Sequence, residues 1–90
     1  MNEIVQRIKK VITYSELKVV RIVVEEIGDR EEIVLVNGKI ADQVGITRSV
    51  LVTGLRILEV AGVIETKSMG SRGTYIRVLN AEMLKKIAEM

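Results

Sequence analysis

Between Lys39 and Glu65 the chain reads KIADQVGITRSVLVTGLRILEVAGVIE, and the spacing of its small, glycine and branched residues leaves little choice of local fold. Ala41 is small enough for another helix to cross over it. Gly45 can take a positive φ at no steric cost, as a sharp turn requires. Leu51 lies six residues beyond that glycine and starts an apolar stripe that continues at Leu55 and Leu58. These are the needs of two helices joined at a steep angle by a turn of about three or four residues. Ile40, Val44 and Ile46 fill the rest of the small interface, so the Leu51 face of the second helix is expected to be buried. Gly54 breaks the pattern. A mid-helix glycine costs about 1 kcal/mol relative to alanine, and either close approach of another backbone or simple tolerance would account for it.

On its own this pattern also fits a plain helical hairpin inside a core. The residues that follow add a second element. Residues 63–67 alternate as a strand does, Gly70, Ser71, Arg72 and Gly73 form a turn, and residues 74–78 return as the second strand of a hairpin. Upstream, residues 1–12 carry Ile4, Val5, Ile8, Val11 and Ile12 along one helical stripe. Thr13 with Glu16 is a capping-box pair, and Thr13 or Ser15 starts a helix with Leu17, Val20, Val24 and Ile27 on one face. Gly28 ends that helix as a left-handed residue, and residues 33–36 suit a short strand. Asn37, Thr47 and Asn80 are expected N-caps of three further helices, the first two ending at Gly45 and Ala61–Gly62.

The expected fold is therefore α+β and mostly α: a winged helix-turn-helix with a small antiparallel β wing and flanking N- and C-terminal helices. Residues 1–12 read as a linker helix and residues 13–90 as the domain. The N-terminal stripe suits packing on its own domain and a contact with a partner equally well.

Composition removes most chemistry. The sequence holds no Cys, His, Pro, Phe or Trp, and Tyr14 and Tyr75 are its only aromatics. Disulfides, thiolate nucleophiles, sulfur metal sites and the commonest neutral-pH base are excluded. Carboxylates such as Glu25 and Glu26 sit on a solvated helix face, and no cluster joins a base, a nucleophile and oxyanion donors. No catalytic residue, metal or cofactor is expected in this domain. Neither a membrane span nor a signal peptide is visible, and a cytoplasmic location fits.

The net charge of +2 is small, but it is unevenly spread. Residues 13–36 hold three basic and six acidic residues, whereas residues 37–78 hold six basic and three acidic. An anion-binding face looks like this before folding. Opposite the Leu51 stripe the second helix presents Arg48, Ser49, Val52, Thr53 and Arg56, side chains suited to base edges and thymine methyls in a major groove. Arg48 and Ser49 lie in the N-terminal turn, the part of a recognition helix that meets bases. The hairpin carries Lys67, Ser68, Arg72 and Arg77 towards phosphate, with Ser71 and the amides of Gly70 and Gly73 allowing close approach. Recognition helix 47–61 would enter the major groove and wing 63–78 would lie on the backbone.

The segment from Lys39 to Asn80, above all GITRSV, AGVIE and GTYI, resembles the C-terminal domain of the CodY family of nutrient-sensing repressors, and TYSELKVVRIVVEEI is similar to the helix preceding the motif there. The resemblance implies binding to duplex DNA at an A·T-rich palindromic operator. It places Ala41, Arg48 and Ser49 on the family's DNA-contact positions, Ala41 having a packing role as well. It also implies a homodimeric full-length repressor that responds to GTP and branched-chain amino acids through a domain absent from these residues, so that this chain reads as a C-terminal fragment. Asn37-Gly38 and Val52-Thr53 depart from the family's small pair (Ala-Ser) and its Val-Asn. The alternative function is a winged-helix protein–protein interaction module that binds no DNA.

Overall fold

A computed structural model describes residues 3–89. The helices α1 (Glu3–Val11) and α2 (Tyr14–Ile27) lead into strand β1 (Glu32–Leu35). Helices α3 (Asn37–Val44) and α4 (Arg48–Val60) follow. A hairpin of β2 (Ile64–Ser68) and β3 (Thr74–Val78), closed by a short 3-10 turn (Gly70–Arg72), precedes the last helix, α5 (Ala81–Ala88). The expected helix start at Met1, like the final residue Met90, lies outside the described residues.

Local chemistry explains most boundaries. Thr13 Oγ1 accepts from the Glu16 amide at 3.1 Å while the Glu16 carboxylate accepts from the Thr13 amide at 2.9 Å, a complete capping box. Thr47 Oγ1 accepts from Val50 and Asn80 Oδ1 from Met83, so α4 and α5 start as expected. Gly45 adopts the left-handed conformation (φ 72°, ψ 35°), and the amides of Gly45 and Ile46 both donate to the Ala41 carbonyl. That closes α3 and turns the chain sharply into α4.

Four boundaries differ by one residue or by conformation. Asn37 is not the N-cap of α3; Val36 is, and its carbonyl accepts from the Ile40 amide at 3.0 Å. Because Val36 serves the helix, β1 ends at Leu35 instead of running to Val36. Likewise Val63 donates to the Leu58 carbonyl and Gly62 to that of Glu59, the paired bonds that finish a helix, so β2 starts at Ile64. Gly28 has the positive φ expected of it, but its ψ of −120° lies outside the left-handed helical region.

The three strands form one antiparallel sheet in the order β1-β3-β2. Leu35, Ile64 and Ile76 are buried beneath it, and the core continues through Val19, Val20, Val23, Leu51, Leu58, Val63 and Ile87. This core is aliphatic, and among the described residues no polar or charged residue is buried. Helix α2 lies at its centre, packed against α3, α4, α5 and β1. It therefore buries Val19, Ile22 and Val23 in addition to Leu17, Val20 and Ile27. The single face expected from periodicity is too narrow for a helix with neighbours on several sides. Helix α1 packs on the same body: Val5 and Ile8 join the core cluster, and α1 contacts α5. Its other side leaves Ile4 and Val11 exposed, next to exposed Val60 at the end of α4.

Candidate nucleic-acid interface

Helix α4 is held like a wedge. Leu51, Gly54, Leu55 and Leu58 are buried, whereas Arg48, Ser49, Val52, Thr53 and Arg56 are exposed, as the two-faced pattern requires. The sheet hairpin stands beside it. A cleft of about 220 Å³ runs between them, with Val52, Arg56 and Glu59 on the helix side and Thr66, Ser68 and Thr74 on the strand side. Glu59 bridges the two: its Oε2 accepts from both the amide (3.2 Å) and the hydroxyl (2.8 Å) of Thr66. That bracket, which joins residues seven positions apart, ties the helix to the hairpin.

The expected contact residues fall into distinct positions. Ala41 lies within α3, only 4% exposed, and its carbonyl accepts the two amides that turn the chain into α4. Arg48 begins α4 and folds its guanidinium back over Gly38 at the start of α3; a Cβ built on Gly38 would lie 2.7 Å from Arg48 Nη2. Ser49 is exposed, and its carbonyl accepts from the Thr53 hydroxyl at 2.9 Å. The Thr53 proton is thus spent within the helix, and Thr53 lines the apolar groove against α1 together with Arg56. Arg56 borders that groove and the wing cleft alike. Lys67 is exposed on β2 and Arg72 in the tip. The Gly73 amide donates to the Gly70 carbonyl, and the Gly70 amide reaches Ser68 Oγ at 3.4 Å, so both are engaged inside the turn.

The tip is anchored from beneath. Gly73 is buried with φ 114°, and any side chain there would collide with the Leu35 carbonyl. The end of β1 thus supports the start of β3.

Residues 31–90 match the CodY helix-turn-helix domain. The chain belongs to that family. It is 52% identical to the global transcriptional regulator CodY of Lysinibacillus sphaericus, 49% to that of Bacillus mycoides and 47% to that of a Thermoanaerobacter species. Each similarity extends over 87 residues, 97% of this chain, but only 33%, 33% and 34% of the respective relatives. The chain therefore spans about a third of the length of the curated relatives it matches. By name those relatives are regulators of transcription, and the family is not an enzymatic one.

In this CodY domain Arg77 and Lys67 lie on the same outer face of the sheet, Lys67 opposite Tyr75 and nearer the tip. Arg77 pairs in register with Glu32 on β1 and Glu65 on β2, which puts one carboxylate on each side of it on that face. Tyr75 shares that face and donates its hydroxyl to Glu32 Oε2 at 2.6 Å. The bond holds the Tyr75 phenol above its usual pKa of 10.0, with burial and the Glu32 charge adding to the effect. The sequence concealed this arrangement because Glu32 and Arg77 lie far apart until β1 pairs with β3.

Proposed function

We propose that this domain binds duplex DNA as the winged helix-turn-helix of a transcriptional repressor, inserting α4 into the major groove and laying the wing on the backbone. The observation that carries the reading is the outer face of α4. Arg48, Ser49, Val52 and Arg56 are exposed on a helix whose opposite side is locked in the core, beside a hairpin bearing Lys67 and Arg72. Such a face offers paired donors, a hydroxyl and a methyl to base edges, with cations for phosphate alongside. Membership of the CodY family and relatives named global transcriptional regulators support the same conclusion.

The operator in this reading is an A·T-rich palindrome, engaged by two copies of the domain within a homodimeric full-length regulator in the cytoplasm. GTP and branched-chain amino acids would act on the whole regulator, not on these residues. One domain alone binds modestly, because it lacks the gain of linked binding.

Fluorescence anisotropy with an A·T-rich palindromic duplex and a scrambled duplex, each at two salt concentrations, tests the proposal. Binding that weakens steeply with salt and favours the palindrome is expected. No binding to either duplex at low salt and high protein concentration would transfer the face to a protein partner.

A further inference from the structure

The Arg48 guanidinium lies against a glycine. Gly38 lies in the first turn of α3, and a Cβ there would sit 2.7 Å from Arg48 Nη2 and 3.6 Å from Cζ. Only a residue without a side chain lets the guanidinium rest where it does. The contact closes one wall of a cleft of about 250 Å³, with Val36, Gly38 and Arg48 on the helix side and Gly70, Ser71 and Gly73 of the wing tip opposite. Among the described residues, no carboxylate lies within ion-pair distance of Arg48.

We propose that Gly38 is a positioning residue for the DNA interface: it sets the Arg48 guanidinium between α3 and the wing tip, where it meets the sugar-phosphate backbone instead of a base edge. The inference rests on the DNA-binding reading above. Its direction follows from the layout. In a helix-turn-helix the first helix crosses the backbone while the second enters the groove. A guanidinium folded back onto the start of the first helix is carried off the groove floor towards the crossing point. The start of α3 has no side-chain cap, so its unpaired amides add positive potential on the same side. Ser49 and Val52 are left as the first-turn and second-turn residues facing bases.

The two residues should act as one unit, which a double-mutant cycle detects. Gly38→Ala restores a good helix former and displaces only the flexible end of an arginine, so thermal stability should hold or rise. Duplex affinity should nevertheless fall about tenfold, the scale of one lost charged hydrogen bond. Arg48→Ala should weaken palindromic and scrambled duplexes equally and reduce the slope of log affinity against log salt by about one. In the Arg48→Ala background, Gly38→Ala should change nothing further.

Several outcomes would overturn the proposal: an unchanged affinity for Gly38→Ala, an equal loss in both backgrounds, or a loss for Arg48→Ala confined to the palindrome. Failure of the unsubstituted domain to bind either duplex would instead remove the DNA-binding reading itself.

Discussion

Gly54 of α4 faces Val19 of α2 so closely that a methyl group at position 54 would lie 2.8 Å from the Val19 Cβ and 2.9 Å from its Cγ1. The mid-helix glycine is thus the contact point at which α4 crosses the central helix of the core. Val19 is fully buried there.

Gly54→Ala is accordingly expected to destabilise the domain. Helix propensity favours alanine by about 1 kcal/mol, but overpacking a filled crossing costs about 1–3 kcal/mol, and backbone separation of α2 from α4 adds to that. A lower urea midpoint is the expected result, partly recovered by Val19→Ala in the same chain. A higher midpoint for Gly54→Ala would mean that the crossing yields easily.

The two faces of α4 should separate stability from binding. Leu55 is buried, and Leu55→Ala should cost about 2–5 kcal/mol through the cavity it leaves. Val52 is 45% exposed, and Val52→Ala should stay within about 0.5 kcal/mol of the parent while altering duplex preference. Thermal melts of both variants, with duplex titration of the second, check the pair.

On the sheet, basic residues should not be equivalent. Arg77 lies between Glu32 and Glu65, whereas Lys67 and Arg72 are exposed near the tip. Replacing Lys67 or Arg72 by alanine should lower the salt slope of duplex binding by about one each. Arg77→Ala should leave the slope unchanged, and a loss there equal to that of Arg72→Ala would extend the DNA contact from the tip to the acidic end of the outer sheet face.

Tyr75 supplies a pH test. Its hydroxyl donates to Glu32, which favours the protonated phenol and raises its pKa above 10.0. Since the folded state holds this proton more tightly, the associated stability is present below the unfolded pKa and is lost as pH rises through the folded value. Ultraviolet titration of a Tyr14→Phe variant isolates the group. Adding Glu32→Ala should bring the Tyr75 transition to lower pH, and an unmoved transition would mean that the bond has no force in solution.

What the sequence revealed was local. The caps at Thr13, Thr47 and Asn80 and the turn at Gly45 were legible because a cap and its partner amide lie within about four residues. Strand β3 was legible for the similar reason that Gly73 precedes it and the helix cap Asn80 follows it. The turn signals did not reveal that β1 joins the hairpin's sheet, since that pairing depends on register between distant segments. Gly54 was recognised as anomalous, but its explanation is a valine 35 positions upstream. Arg77 read as a wing cation because its two carboxylate neighbours come from other strands. Gly38 gave no signal until α3 and the first turn of α4 were folded together. In the candidate site, residue types and the exposed face could be read in advance, while the direction of each side chain could not.

The central claim is that the outer face of α4 and the tip of the wing form one DNA-binding surface. Amide chemical shifts of the labelled domain, followed by NMR during titration with the A·T-rich palindromic duplex, test it most directly. The largest changes are expected on residues 48–56 and 67–73, with Glu32, Glu65 and Arg77 nearly still. Changes centred on the acidic face of α2 or on the groove between α1 and α4, with residues 48–56 unmoved, would contradict it.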